Sequence, residues 1–244
     1  MTIGQPVVAA VASPKIAMSR GRTFAVAALI LAGLAALPFA LTKYQVGLAT
    51  EMLIYGMLAM SIDILAGFSG RTSLAHGALF GVSAYVVTYT VSTLGLPPAV
   101  GFLLGVLAAT ITAAGFALVA ARTAGVYFLL LTLALGMIVW GICLRWTDVT
   151  GGENGLRGNL RVGLLRDHAV FYWVVLACAA AVSVAMWRLV HSPFGLTLRG
   201  IRDSESRMRS LGYDVYQHLF IGFAVSGLFA GVAGALYAFF NSFV

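Results

Sequence analysis

Apolar runs of membrane length recur along the whole chain, separated by short polar stretches. They cover residues 24–41, 47–68, 76–94, 98–120, 126–146, 169–190 and 219–240, each near the 17–25 residues that carry a helix across a bilayer. The runs are continuously apolar and do not alternate, which predicts helices and argues against a β-barrel. The expected fold is an all-α polytopic membrane protein with about seven transmembrane helices. One of these helices is a candidate for a discontinuous one.

Composition agrees. The chain has 244 residues, 61% hydrophobic and 9% charged, where a soluble domain carries about 25% charged residues. A net charge of +7 would suit nucleic acid, but the basic residues sit between apolar runs, where orientation in a membrane wants them. With the N-terminus in the cytoplasm, Lys15, Arg20, Arg22, Arg71, Arg122, Arg188, Arg199, Arg202, Arg207 and Arg209 are inside. The smaller set, Lys43, Arg145, Arg157, Arg161 and Arg166, is outside, which favours this orientation. Residues 1–22 then form a cytoplasmic tail and 23–244 one transmembrane domain. Its sizeable outer loop is 147–168 and its sizeable inner loop 191–218. The first run is longer than the apolar part of a usual signal peptide, so it is expected to be retained. Cys143 and Cys178 fall inside apolar runs and read as small buried hydrophobes.

Three pairs, Gly77-x-x-x-Gly81, Gly101-x-x-x-Gly105 and Gly227-x-x-x-Gly231, each place two glycines on one helix face. Such faces let helices approach closely in lipid, within one chain or against a second subunit.

The most polar interruption among the early runs is Gly67-Phe-Ser-Gly-Arg-Thr-Ser-Leu-Ala-His76. It is either an ordinary turn or the break of a discontinuous helix whose free N–H groups face a translocation path. Asp63 precedes it, within the second run. A carboxylate at membrane depth costs about 2.5–3.5 kcal/mol on insertion scales, so it should face protein or water. It could bond backbone freed by the break, line a path or carry a coupling proton. Gly67-x-Ser69-Gly70 also matches the nucleophile signature of an intramembrane serine protease, which needs a histidine base. The four histidines are scattered and do not supply one on another span, nor a metal ligand set. Tyr127 and Thr132, after the basic turn at Arg122, could line a cavity or simply pack. In the outer loop, Thr150-Gly-Gly-Glu-Asn154-Gly155-Leu predicts a tight turn with positive φ at glycine.

The inner loop carries helix punctuation. Ser192-Pro193 is an entry signal, and Gly212 a natural C-terminal cap. Between them Leu198, Ile201, Met208 and Leu211 recur at helical spacing while Arg199, Arg202, Arg207 and Arg209 fall mostly elsewhere. This predicts an amphipathic helix of about 13 residues. It would lie on anionic lipid or enter a groove on a cytosolic protein, apolar face first. Asp203 and Glu205 favour the protein.

With these motifs in order, the chain resembles the LivM-type permease family, the membrane subunit of bacterial ABC importers for branched-chain amino acids. The resemblance rests on Asp63-Ile-Leu-Ala-Gly-Phe-Ser-Gly70, Ser73-Leu-Ala-His-Gly-Ala-Leu-Phe-Gly-Val-Ser-Ala-Tyr85, Thr123-Ala-Gly-Val-Tyr-Phe-Leu-Leu-Leu-Thr-Leu-Ala134, the Thr150 turn, Ser192 through Asp214, and Ala230-Gly-Val-Ala-Gly-Ala-Leu-Tyr237. Two departures stand out: the family usually has Gly at the place of Ala75, and its members usually continue past this chain's end.

The resemblance implies a non-enzymatic permease subunit in the bacterial inner membrane. Its partners would be a second permease subunit, two cytosolic ATPase subunits that carry ATP and Mg, a periplasmic binding protein and membrane lipid. No cofactor on this chain and no nucleic acid are implied. Arg199, Gly200, Ile201, Arg202, Asp203, Glu205 and Gly212 would couple to the ATPase. Asp63, Ser73, His76, Tyr85, Tyr127 and Thr132 would border the path. Thr150, Gly151, Gly152, Asn154 and Gly155 would face the binding protein. Urea, short amides and other amino acids are alternative substrates, and an ion-coupled carrier using Asp63 is an alternative mechanism.

Overall fold

The computed structural model describes residues 20–158, 160, 161 and 163–244. The chain divides into two compact units, residues 1–36 and 37–244. In the first, helix α1 (Arg20–Ala40) begins. Of the tail expected over 1–22, residues 1–19 lie outside the described residues, and Arg20 and Arg22 already belong to α1.

The second unit holds α2 (Lys43–Asp63), which runs on through a π-helical turn (Ile64–Ser69), then α3 (His76–Ser92), α4 (Pro98–Ala120) and α5 (Gly125–Arg145). A one-turn α6 (Thr147–Thr150) and α7 (His168–Val190) follow, then the short pair α8 (Pro193–Asp203) and α9 (Glu205–Ser210), and α10 (Val215–Asn241). Among the described residues, five helices are long and apolar enough to cross a membrane: Lys43–Ser69, Pro98–Ala120, Gly125–Arg145, His168–Val190 and Val215–Asn241. The two remaining apolar runs form α1 and α3. With 17 residues, α3 is about 25 Å long, at the short end of the spanning range.

Local chemistry sets the helix ends. Pro98 occupies the first turn of α4, where its missing N–H costs nothing. Carboxylates cap two helices: Asp167 accepts from Ala169 N (3.1 Å) at α7, and Asp214 from Gln217 N (3.0 Å) at α10.

Helix α10 is the centre of the bundle and packs on α4, α3 and α2, while α7 packs on α2. In their apolar windows 67% of α10 is buried but only 11% of α5, so α5 is peripheral. Small residues explain the close packing at the centre. Gly101, Gly105, Ala109, Ala113 and Ala117 of α4 recur every four residues and are all buried, forming one face. A Cβ on Gly105 would strike Val87 and the Ser83 carbonyl, and one on Gly227 the Ala113 methyl. Two of the three glycine pairs are thus consumed within the chain. Gly77 and Gly81 of α3 have no atom within 4 Å of where a Cβ would stand.

Candidate functional site

The polar interruption is a break between two helices. The π turn ends at Gly70, whose φ of 71° is left-handed, and α3 starts only at His76. Several backbone groups of this break find partners. Arg71 N donates to Leu65 O (2.9 Å), Leu74 N to Thr132 Oγ1 (3.1 Å), and Ala75 N to Ser73 Oγ (3.3 Å). The Gly67 carbonyl accepts from Arg202 Nη1 (2.5 Å), which arrives from α8.

The expectation that Asp63 bonds this freed backbone is corrected. Asp63 is exposed and, among the described residues, has no hydrogen bond or ion pair. Its carboxylate lies against Gly67, where a Cβ would overlap it. The free group at Gly67 is a carbonyl and needs a donor. An ionised carboxylate only accepts, whereas arginine supplies donors. The protease geometry fails too: Ser69 Oγ donates to Leu65 O (2.8 Å), and His76 Nε2 meets Ser226 Oγ of α10.

The inner loop holds two helices instead of one. Ser192 opens α8 by accepting from Gly195 N (3.4 Å). Ser204, extended at φ −165° and ψ 100°, interrupts the run and caps α9 through Arg207 N (3.3 Å). A serine that bonds the backbone locally offers an alternative to helix continuation. The chain then folds α9 back over α8, with Met208 lying where a Cβ on Gly200 would stand. Gly212, at φ 86°, follows α9 as the expected cap.

The α8 part of the predicted apolar face, Leu198 and Ile201, is consumed by the bundle, whereas Leu211 after α9 stays exposed. Ile201 packs with Ala121, Val215 and Leu219, and Leu198 lies against Gly222 of α10. Area removed from water is available inside the chain, so Leu198 and Ile201 are buried there and are not offered to a partner. The outward face carries Arg202, Asp203, Arg207, Arg209 and Gly212, with Leu196, Leu211 and Tyr213 as exposed apolar groups. Arg199 is turned inward, over the Phe68 ring at 5.0 Å.

Arg71, which sequence reasoning treated only as an orientation charge, is the hub under the break. Its guanidinium donates to the Ala121 carbonyl (3.1 Å), to the Thr123 carbonyl and to Glu205 Oε2 of α9 (3.0 Å). It also stands over the Phe128 ring of α5 at 5.7 Å. Burial lowers its pKa and the Glu205 carboxylate opposes that shift, so the group stays charged. Glu205 also accepts from Arg209 Nη2 (2.6 Å) across one turn.

A groove of about 280 Å³ opens between α3 and α5, lined by Leu74, Gly77, Gly81, Tyr85, Gly136, Trp140 and Cys143 among others. A second hollow of about 290 Å³ shares Val82, Tyr85 and Cys143 with it and extends to Thr150. Of the expected path residues, Tyr85 lines the groove. Ser73, His76 and Thr132 are buried behind its wall. Tyr127 is 79% exposed and, like Asp63, does not line it. Ser226, which holds His76, had no signal in the sequence beyond a lone serine in an apolar run.

At the opposite end, the glycine turn has the expected geometry: φ is 74° at Gly151, 60° at Gly152 and 64° at Gly155. Thr150 Oγ1 donates to Trp146 O (2.8 Å) and folds the turn onto the end of α5. Asn154 is exposed, and Leu156 exchanges backbone hydrogen bonds with Val244 (2.8 and 3.0 Å).

Membrane-length helices, a break after α2 and a helix pair seated under that break define a multi-pass α-helical membrane protein. The chain belongs to the family described as branched-chain amino acid transport system / permease component, whose model matches residues 44–244. Among curated relatives, the high-affinity branched-chain amino acid transport system permease protein LivM of Escherichia coli (strain K12) is 29% identical, over 91% of this chain and 58% of the relative. The probable LivM of Methanocaldococcus jannaschii is 24% identical over 73% of this chain and 50% of its own length. The guanosine ABC transporter permease protein NupQ of Bacillus subtilis is 36% identical over 28% of this chain and 21% of its own. The chain thus spans between half and three fifths of the LivM relatives it matches. No solved structure matches it.

Proposed function

We propose that this chain is the membrane-spanning permease subunit of an ATP-driven importer for branched-chain amino acids. The observation that carries the reading is the α8–α9 pair, seated directly beneath the α2–α3 break and offering a charged outer face. On this reading the α8 end is cytoplasmic, in a bacterial inner membrane, and the outer face of α9 meets an ATPase subunit. ATP and Mg are held by that partner, and the permease converts the partner's movement into opening of the path. A binding protein delivers substrate to the end that carries the Thr150–Gly155 turn.

The groove between α3 and α5 is the best candidate for this chain's share of the path. Its walls are mostly apolar, with the Tyr85 ring and Trp140 among them, and suit an aliphatic side chain better than urea or a small amide. A second permease subunit would close its open side, where Gly77 and Gly81 permit close helix approach. An ion-coupled mechanism loses its main support, because Asp63 lies outside the groove.

The test is uptake of labelled leucine by vesicles that contain this chain with its sister permease, two ATPases and the binding protein. Uptake that requires both ATP and binding protein is expected, and Arg207→Glu on the outer face of α9 should reduce stimulated ATP hydrolysis. Uptake driven by an ion gradient without ATP would defeat the reading.

A further inference from the structure

We infer that Arg71 is the positioning residue through which movement of α9 reaches the helix break and the groove wall. The inference deepens the proposed function and rests on it. No other described side chain bonds α9, the α4–α5 turn and itself belongs to the break.

The connection can be followed atom by atom. The Glu205 carboxylate of α9 holds Arg71 Nη2 at 3.0 Å, and the side chain of Arg71 is 6% exposed. The shared Glu205 carboxylate is 32% exposed, but water reaches the arginine of this pair far less than that of the Glu205–Arg209 pair, whose arginine is 67% exposed. Arg71 Nη1 holds the carbonyls of Ala121 and Thr123 at the end of α4. Those carbonyls lack intrahelical donors and sit at the negative end of the helix. The Arg71 backbone N–H donates to Leu65 O in the π turn. Three residues further on, Leu74 donates its N–H to Thr132 of α5 and lines the groove.

Displacement of α9 thus has three routes into the bundle. The apolar contacts of Met208, and of Ile201 on the adjoining α8, are non-directional and can slide. Arg202 of α8 reaches the Gly67 carbonyl through a single exposed hydrogen bond. The Arg71 fork is planar, bonds three oxygens at fixed angles and cannot shift without breaking one of them. A shift of Glu205 must therefore move Arg71, and with it the loop that positions Leu74 and the start of α3.

The test has two arms. In the purified full chain in lipid nanodiscs, Arg71→Met and Glu205→Gln should speed hydrogen exchange at residues 207–212 while leaving α10 protected. Unchanged exchange there would show that the fork does not anchor α9. In the complete importer, uptake of leucine per ATP hydrolysed should fall by about tenfold for Arg71→Met, within the roughly 5–150-fold range of ordinary coupling free energies. Stimulated ATP hydrolysis should persist. Arg71→Lys, which keeps the charge but not the fork, should recover only part of the ratio. A purely structural role would lower uptake and hydrolysis in parallel, and that result overturns the proposal. Wild-type vesicles that hydrolyse no ATP would instead overturn the proposed function, and the coupling role with it, while the exchange arm still reports on the anchor.

Discussion

His76 of α3 meets the Ser226 hydroxyl of α10, and Ser226 in turn donates to the Ser61 carbonyl of α2 at 3.0 Å. The Ser226 oxygen is thus shared between the His76 ring and the Ser61 carbonyl, and the Nδ1 side of the ring is buried as well. One chain of bonds therefore ties three helices together immediately behind the groove.

Ser226→Ala should lower stability by about 0.6–1.7 kcal/mol, the range of cross-helix hydrogen bonds in membranes. Thermal unfolding in detergent would measure it. A loss near zero would mean that the His76 contact contributes nothing beyond packing.

The glycine positions should divide sharply. A methyl on Gly234 would fall onto the Phe80 carbonyl of α3, so Gly234→Ala should cost about 1–3 kcal/mol by overpacking. Gly81→Ala faces open space inside α3 and should leave stability unchanged or raise it by up to about 1 kcal/mol. If the groove is the path or a subunit contact, the same Gly81 variant should lower uptake with its fold intact.

Arg161 closes the far end of the bundle. Its Nε donates to the Phe239 carbonyl at 2.7 Å, its Nη2 to the Phe240 carbonyl, and its guanidinium lies 4.4 Å from the Phe171 ring centre. Burial lowers its pKa, yet an arginine so shifted stays protonated at neutral pH. Arg161→Gln should cost about 1.5–3 kcal/mol, the worth of hydrogen bonds to a charged group. Faster hydrogen exchange at 238–241 would locate the effect.

Asp63→Asn should leave ATP-driven uptake unchanged, because the carboxylate is exposed and lies outside the groove. Comparison of uptake with and without a proton gradient checks this. A variant that loses gradient-dependent transport would restore the ion-coupled alternative.

Much of the fold was legible in the chain itself. Lipid demands continuous apolar runs with backbone bonds closed inside each one, so the helices could be read by length. The glycine turn at Thr150–Gly155 and the cap at Gly212 were legible for a similar reason, since positive φ is a property of the residue. The existence of a polar break before His76 was legible, but its partners were not. The carbonyl at Gly67 is satisfied by Arg202 and the end of α4 by Arg71, residues 135 and about 50 positions away.

The same limit governs the inner loop. Its amphipathic spacing was readable, but spacing says only that a face will be buried, not against what. Only the folded chain decided that Leu198 and Ile201 would be covered by α10 and the α4–α5 turn, leaving the charged face outward. It also decided which arginine would be the hub. Arginines in a sequence look alike, and Arg71 differs because the tertiary structure surrounds it with two helix-end carbonyls, a carboxylate and an aromatic ring, and keeps water away.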